Sequence, residues 1–408
     1  MAKIAVIGSG ISGLTSAYLL AKNHDVTVYE SNNYLGGHTQ THLIEVGGKQ
    51  VWVDTGFIVY NDRTYPNFIC LLQKLGCAGL PTEMSFSVSR ADFEYNGHSI
   101  NTLFAQRSNL LSIKFLRMLR DVLRFNKDAQ VINSDDNRSL GEYLSDEGYS
   151  QSFQDDYLIP MSAAIWSTGH AKVREFPIFS LARFFVNHGL VSLKNRPQWR
   201  VVAGGSHSYV KALESEIGEV RLSTPVEQIQ RRDDRVLIKA GGQEDRYDEV
   251  VIAVHSDHAL KLLDDPSDEE LEILSAMHYS SNKVTLHTDI SLMPQRKLAW
   301  ASWNYHTGKR TEKATLTYNM NILSHIENEE QVLVTLNDEG KISPDKIIKT
   351  VDYQHPIFNH RMLASQKRHG EISGVNRTHY CGAYWHYGFH EDGVVSALTV
   401  CKTFGASL

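Results

Sequence analysis

The sequence predicts an α/β chain in which a Rossmann-like nucleotide-binding domain, a three-layer ββα fold, is interleaved with an α+β substrate-binding domain. The first residues have the strand, glycine turn, helix and strand order of a βαβ unit. The last residues return to a strand, a glycine-rich turn and a helix, while the region between is mostly helical and then rich in alternating strands. Because both ends of the chain have the same character, we expect them to meet in one domain.

The length of 408 residues favours two domains. We assign residues 1–67, 200–276 and 365–408 to the nucleotide-binding domain, and residues 68–199 and 277–364 to the substrate-binding domain. Composition is typical of a globular protein, with 42% hydrophobic and 22% charged residues. The sequence shows neither an internal repeat nor a low-complexity linker, which agrees with interleaved rather than serial domains.

The N-terminal βαβ unit is defined by its hydrophobic pattern. Ile4 to Ile7 form a continuous apolar run, as in a buried parallel strand. Ser12 to Lys22 is predicted to be a helix, and Val26 to Tyr29 the second strand.

The turn between the first strand and the helix is a GxGxxG motif formed by Gly8, Gly10 and Gly13. Gly8 permits the tight turn, Gly10 lets a diphosphate approach the backbone, and Gly13 lets helix and strand pack closely. Ser12 opens the helix, whose positive N-terminus favours the diphosphate. Glu30 ends the next strand, where a carboxylate accepts the ribose hydroxyls. The motif predicts a dinucleotide site without separating FAD from NAD.

The residues after Glu30 distinguish the two cofactors. Gly36, Gly37 and His38 follow at once, and this segment resembles the extended FAD fingerprint of the flavin-containing amine oxidase superfamily. That family usually has arginine after the glycine pair. His38 can still donate to a phosphate, but its charge depends on pH. The resemblance implies the amine oxidase architecture and FAD. No cysteine precedes the final helix where monoamine oxidases attach their flavin, so we expect FAD to be non-covalent.

Other segments extend the same resemblance to the flavin itself. They comprise a strand end beside the flavin, a strand whose valine meets the adenine, the last strand, and the start of the final helix. The cofactor contacts implied in this way are Thr55, Gly56, Phe57, Val226, Gly382, Asp392, Gly393 and Val394. In the family, amides at the start of the final helix bind the flavin pyrimidine edge, where reduced flavin carries negative charge.

Five further segments are similar to one bacterial subgroup of amine-oxidase-like NAD/FAD-binding proteins. The segments are residues 166–167, 184–189, 286–289, 299–304 and 388–393. The subgroup is linked with unsaturated, cyclopropane and furan fatty acid metabolism. The resemblance thus implies an oxidoreductase acting on an unsaturated or methylated acyl chain, with an apolar small molecule or a lipid as substrate. An amine oxidase on a small amine or polyamine, and a flavin-binding protein without turnover, remain as alternatives.

Two residues are candidates for catalysis. His390, just before the predicted final helix, lies where amine oxidases place one aromatic wall of their substrate cage. It is either an acid or base beside the flavin or a hydrogen bond that fixes the turn. Lys283 lies where amine oxidases carry a lysine that holds a water near the flavin; the alternative is a surface lysine at a strand start.

Two features bear on an apolar substrate. Trp166, Trp300, Trp303 and Tyr305 are either the walls of an apolar tunnel or ordinary core residues. Residues 108–127 have the pattern of an amphipathic helix, with one stripe of Lys114, Arg117, Arg124 and Lys127 and another of Leu111, Phe115, Leu119 and Val122. Such a helix either lies on anionic lipid or has one solvated face.

Charge and residue counts exclude other classes. A net charge of −6 argues against nucleic-acid binding. The four cysteines are scattered, and His38, His42, His386 and His390 match no ligand spacing, so no metal is predicted. The first apolar stretch runs into the glycine motif, unlike a cleavable leader. We expect a cytoplasmic protein, at most in peripheral contact with the inner face of the membrane.

Overall fold

A computed structural model describes residues 1–192, 194–307 and 313–408. The strands are β1 Lys3–Ile7, β2 Asp25–Tyr29, β3 Thr41–Val46, β4 Lys49–Asp54, β5 Tyr60–Asn61, β6 Gly79–Thr82, β7 Phe86–Arg90, β8 Phe93–Asn96, β9 Trp199–Val202, β10 Glu219–Arg221, β11 Val226–Arg231, β12 Val236–Ala240, β13 Gln243–Tyr247, β14 Glu249–Ile252, β15 His278–His287, β16 Trp303–His306, β17 Thr315–Asn319, β18 Leu333–Leu336, β19 Ile347–Ile357 and β20 Thr378–Tyr380.

The α-helices are α1 Ile11–Leu20, α2 Pro66–Lys74, α3 Ile100–Leu103, α4 Ile113–Asp128, α5 Leu140–Asp146, α6 Gln151–Phe153, α7 Ile159–Trp166, α8 His170–Arg174, α9 Ile178–Asn187, α10 His207–Glu214, α11 Ser256–Leu262, α12 Asp268–Ser275, α13 Met320–Leu323, α14 His360–Gln366, α15 His369–Ile372 and α16 His390–Thr403. Within the described ranges, no helix combines the length and apolar character that crossing a membrane requires.

A five-stranded parallel sheet, in the order β10-β2-β1-β14-β20, forms the middle layer of the nucleotide-binding half. Its strands come from all three chain segments assigned to that domain. Apart from its first residue, β1 is buried, as expected of a central parallel strand covered on both faces. Helix α1 is buried along its whole length because α16 and α10 pack against it.

A three-stranded antiparallel sheet, β11-β12-β13, forms another layer of this half. Its buried side chains include Ile229, Val236 and Ile238. The hydroxyls of Tyr29 on β2 and Tyr247 on β13 lie 2.8 Å apart and join the two sheets. The ββα layering confirms the fold class predicted from the sequence.

The second half is built on a seven-stranded mixed sheet in the order β19-β15-β18-β17-β16-β7-β8. Its strands come from both chain segments assigned to the substrate-binding domain, and helices α3 to α9 belong to the first of these segments. β15 begins at His278, five residues earlier than the sequence pattern suggested. Lys283 therefore lies in the middle of a strand, paired in register with Asp352 on β19.

The first segment of the nucleotide-binding half extends beyond residue 67. Phe68 and Leu71 on α2 pack into the same hydrophobic cluster as Ile4 and Leu14. β6 pairs with β9, which also pairs with β5. Helix α2, which follows the boundary placed at residue 67, therefore packs with the nucleotide-binding half.

Candidate active site

A cavity of about 760 Å³ is lined by residues of both halves. One end is formed by the glycine turn after β1, the residues after β2 and the loop at residues 36–38. The other end is formed by side chains of α7, α9, β16 and β17 together with the residues before α16. The polar, glycine-rich end and the aromatic end can therefore serve two different ligands.

Two helix N-termini meet at the glycine-rich end. α1 begins directly after Gly10, and α16 begins at His390. A Cβ atom on Gly393 would lie 2.6 Å from Cγ2 of Ile11, so the first turns of the two helices are in contact. Each helix start presents unpaired amides and partial positive charge, which makes this a natural site for an anion.

The glycines of the first turn have the separate roles expected from their spacing. A Cβ atom on Gly13 would lie 1.9 Å from the carbonyl oxygen of Gly8, so helix and turn pack too closely for any side chain there. Gly8 has a φ of +98°, which other residues rarely adopt. A Cβ atom on Gly10 would meet nothing within 4 Å, so this position is kept open toward the cavity.

Glu30 is buried at the end of β2 and is held by a fixed set of donors. Its carboxylate accepts hydrogen bonds from the backbone amides of Ser9 at 3.0 Å and Asn32 at 2.8 Å, and from the Asn32 side-chain amide at 2.8 Å. These contacts fix the carboxylate at the edge of the cavity, near Val226. The position suits a group that accepts from ribose hydroxyls.

The loop of Gly36, Gly37 and His38 lies directly on the first glycine turn. The amide of Gly36 donates to the carbonyl of Ser9 at 3.0 Å, and a Cβ atom on Gly37 would lie 3.1 Å from Cα of Gly10. Both glycines have positive φ values, +112° and +57°. His38 is consequently held beside the anion-binding turn, where the ring of Tyr353 stacks on it with centroids 5.0 Å apart.

Gly56 and Phe57 continue the same surface. A Cβ atom on Gly56 would lie 1.9 Å from the carbonyl oxygen of His38, and the amide of Phe57 donates to that oxygen at 3.0 Å. Thr55 is placed differently: its hydroxyl bonds Tyr353 at 3.0 Å and His42 at 3.1 Å, and it is not part of the cavity lining.

His390 is the first residue of α16 rather than a residue before it. Its Nε2 lies 2.7 Å from the hydroxyl of Tyr209 and 3.1 Å from that of Thr39, and its ring stacks on Phe57 at 3.5 Å. Burial lowers the pKa of His390 well below its usual value, so the ring is neutral and is held by hydrogen bonding to these two hydroxyls. This geometry favours the second role considered from the sequence, that of a hydrogen bond that fixes the turn.

The residues that follow His390 stabilise the start of α16 but do not line the cavity. Asp392 accepts a hydrogen bond from the amide of Phe389 at 2.9 Å and so caps the helix. Burial raises the pKa of Asp392 to about 7. Asp392, Gly393 and Val394 are not in the cavity lining, whereas Gly382, at the end of the last strand, is.

The structure does not bring Lys283 to the cavity. Its side chain is half exposed, and its ammonium lies 4.0 Å from Asp338. The residue of β15 that does line the cavity is Tyr279, four positions earlier. The resemblance gave Lys283 a place near the flavin because the apolar pattern of this strand can be matched in more than one register.

The far end of the cavity is an aromatic chamber, formed by Trp166, Phe184, His188, Trp303 and Phe389. The ring of Phe184 lies 4.7 Å from Trp166, 3.8 Å from His188 and 5.0 Å from Phe389. Phe389, which directly precedes His390 in the same motif, was not predicted from the sequence, yet it packs against Phe184 in this chamber.

The other aromatics considered from the sequence divide between the two roles. Trp166 and Trp303 line the chamber, and their indole nitrogens are buried without a hydrogen-bond partner among the described residues. Trp300 donates to the carbonyl of Pro294 at 2.8 Å, and Tyr305 contacts His170 at 2.8 Å. Tyr305 is a core residue and Trp300 is half-buried, and both lie outside the cavity lining.

The glycine-rich end fits a dinucleotide. It offers amides at two helix starts, an open backbone at Gly10 and a fixed carboxylate at Glu30. Among the predicted cofactor residues, the cavity lining contains Gly8, Gly10, Ser12, Glu30, Gly36, Gly37, His38, Gly56, Phe57, Val226 and Gly382. Gly13 and Gly393 support it by close packing. The fold and cavity together define a protein that uses a nucleotide cofactor and has a separate apolar chamber.

Comparison with known proteins identifies the family. Residues 11–351 match the flavin containing amine oxidoreductases, and the chain belongs to this family. A protein from Exiguobacterium sp. 255-15, provisionally assigned as a protoporphyrinogen oxidase, has the same fold with a TM-score of 0.73, 16% identity and 98% of both chains covered. A fatty acid isomerase of P. acnes that produces CLA gives a TM-score of 0.71 and 14% identity, with 99% of this chain and 98% of that chain covered.

A curated relative, the tryptophan 2-monooxygenase of Allorhizobium ampelinum, is 36% identical over 101 residues. That match spans 24% of this chain and 14% of the relative's length. Family membership makes the protein an FAD-dependent oxidoreductase, and the fold relatives do not settle its substrate.

Gly10→Val should remove bound FAD without unfolding the chain. The new side chain enters open cavity space and clashes only with a bound diphosphate. The free energy of unfolding of the flavin-free protein should therefore change by about 0.5 kcal/mol or less. Flavin absorbance and chemical denaturation measure the two effects. Gly13→Val is the matched control: it must displace backbone and should destabilise the protein itself. A folded Gly10→Val variant that retains FAD would contradict this account of the site.

Proposed function

We propose that the protein binds FAD non-covalently and oxidises an acyl chain, free or in a phospholipid, at or next to an unsaturated or methylated carbon. The observation that carries the substrate class is the uncharged, aromatic character of the chamber beyond the cofactor site. A bound flavin supplies a two-electron acceptor for hydride from a substrate C–H bond. The chain's own residues need only bind the substrate, orient it and exclude water.

The chamber offers no charge for a cationic substrate to pair with. Among the described residues that line the cavity, the only carboxylates are Glu30 and Asp352. Glu30 is fixed in the turn after β2, and Asp352 is exposed on β19 next to Tyr353, on the His38 side of the cavity. Burial lowers the pKa of His188 in the chamber to about 4, so this ring is also neutral.

This chemistry disfavours a protonated amine. An alkylamine with a pKa near that of lysine must lose its proton to enter an uncharged chamber at pH 7, which costs about 3 pKa units or about 4 kcal/mol. An acyl chain has no such cost, and each methylene buried contributes about 0.8 kcal/mol. The fatty acid isomerase among the fold relatives shows that this architecture accommodates such substrates elsewhere.

The aromatic rings position a chain rather than react with it. Trp166, Phe184 and Phe389 form adjoining walls, and Phe389 directly precedes the helix start that faces the cofactor site. The indole N–H groups of Trp166 and Trp303 are buried without a partner among the described residues, so we propose them as donors to a substrate oxygen. A chain held between these walls brings its C–H bonds toward the cofactor end.

A second feature supports a lipid substrate: an apolar and basic surface at residues 100–127. Apart from Met1, the most exposed large apolar side chains include Leu111 at 89%, Ile100 at 80% and Ile113 at 77%. This arrangement differs from the predicted amphipathic helix, because residues 107–111 form a short 3₁₀ helix and Leu111 is exposed rather than packed. Helix α4 itself buries Phe115, Met118 and Phe125.

Basic side chains lie along α4, which begins at the exposed Ile113. Arg117 and Lys127 are exposed on α4, while Arg124 is paired with Asp128 at 3.3 Å and Lys114 with Asp156 at 3.5 Å. The whole chain is acidic, with a net charge of −6, so a basic patch here is a local feature. Exposed leucine and isoleucine beside arginine and lysine match the chemistry of an anionic bilayer surface. We propose that this surface docks on such a bilayer.

Anaerobic mixing of the holoprotein with lipid should bleach the flavin. We expect oleate and phospholipids with unsaturated chains to reduce it, palmitate to do so much more slowly, and benzylamine and putrescine not to reduce it. Trp166→Ala should slow reduction by lipid because it removes one wall, and Trp300→Phe, outside the cavity, is the matched control. Stopped-flow absorbance of the flavin is the measurement. Reduction by an amine but by no lipid would replace this proposal with amine oxidation.

Leu111→Ser/Ile113→Ser and Arg117→Glu/Lys127→Glu should each weaken binding to vesicles containing phosphatidylglycerol. Each basic residue near such a surface contributes about 1 kcal/mol, so the charge reversal should weaken binding about tenfold or more at low salt. Co-sedimentation measures it. Leu271→Ser, at an exposed leucine on α12, should bind as the wild type does. If the wild-type protein does not bind these vesicles, the proposed docking surface is refuted. The proposal for the substrate chamber would not be affected.

A further inference from the structure

The glycine-rich end of the cavity must hold an anion with very little fixed positive charge. Among the described residues that line the cavity, none is lysine or arginine. The diphosphate of FAD carries about two negative charges, and the two helix starts together offer about one positive charge. The other ionisable groups of positive sign in the lining are six histidines: His38, His188, His255, His258, His355 and His390.

Three of these histidines come together beside the glycine turn. The ring centroid of His38 lies 5.7 Å from that of His255 and 5.6 Å from that of His355. His38 follows the residue that touches Gly10, His255 directly precedes α11, and His355 lies on β19. Distant segments of the chain thus place three imidazoles near one anion site.

The hydrogen bonds of the cluster leave one nitrogen of His38 ready to take a proton. Nε2 of His38 lies 3.0 Å from the carbonyl oxygen of Gln354, which can only accept, so the proton of the neutral ring is on Nε2 and Nδ1 is bare. Nδ1 of His355 accepts from the side-chain amide of Asn282 at 3.0 Å, which places its proton on Nε2. Protonation of His38 therefore adds a donor without breaking an existing bond.

The titratable groups around the cluster are Asp257, His258, Tyr279, Tyr353 and the exposed Asp352. Burial, and then mutual repulsion, lowers the pKa of His255 to about 4 and that of His355 to about 3, and burial lowers the pKa of His38. His258 and Asp257 act on His255 with opposite signs, and Tyr279 and Tyr353 stack on the cluster as neutral rings. His38 in turn lowers the pKa of His390. Without an anion the cluster is neutral at pH 7.

We propose that His38, with His255 and His355, forms a proton-dependent phosphate site, so that FAD binding takes up protons and becomes tighter as the pH falls. A bound diphosphate favours the charged imidazole, so the complex holds more protons than the flavin-free protein. Affinity must then rise as the pH falls through the pKa of the histidines in the complex, and level off below their pKa in the empty protein. This inference rests on the proposed non-covalent binding of FAD.

The test is equilibrium release of FAD from diluted holoprotein between pH 8 and pH 6, measured by the recovery of flavin fluorescence. The dissociation constant should fall about threefold or more for each pH unit, with a limit of about tenfold for each proton taken up. His38→Arg should bind more tightly at pH 8 and reduce the slope to about half or less, because a permanent charge replaces a titrating one. His38→Asn should bind more weakly and also flatten the slope.

His98→Arg is the control for net charge, because it makes the same substitution at a half-exposed position outside the cavity lining. It should keep the wild-type slope. A dissociation constant that is the same at every pH, or a slope unchanged in both His38 variants, would overturn the proton linkage alone. A flavin that is never released would overturn non-covalent binding and this inference with it.

Discussion

The contact between the first turns of α1 and α16 is the constraint on which the rest of the site depends. Gly393 has no room for a side chain because Ile11 lies against it, and this contact joins the two ends of the chain. It brings the starts of two helices to one cavity, beside the open backbone of Gly10. The other groups at this end, Glu30 and the loop of residues 36–38, are hydrogen-bonded to the same glycine turn.

The cavity has two parts of different chemistry, this polar end and an aromatic chamber. Fixed partial charges and titrating histidines suit an anionic cofactor, while Trp166, Phe184 and Phe389 suit an apolar ligand. His390 lies between the two as a neutral ring that is hydrogen-bonded to hydroxyls through Nε2 and stacks on Phe57.

Local pattern and the family resemblance predicted the fold class, which the structure confirms, whereas the cofactor residues stay predictions. The glycine turn, Glu30 and the Gly36-Gly37 pair act within short stretches of chain, where each residue type has one main physical reason to be present. Register and long-range contacts were harder. Lys283 lies in the middle of β15 and outside the cavity lining, because β15 begins five residues before the apolar pattern indicates. The histidine cluster joins residues 38, 255 and 355, which no sequence spacing connects.

The central claim is that this cavity holds intact FAD without a covalent bond. The most direct measurement is the visible spectrum of the purified protein, followed by acid denaturation, centrifugation and mass spectrometry of the supernatant. The account predicts a yellow protein that releases about one FAD per chain into the supernatant. A colourless protein that binds NAD and cannot be reconstituted with FAD, or a flavin that stays with the precipitated chain, would contradict it.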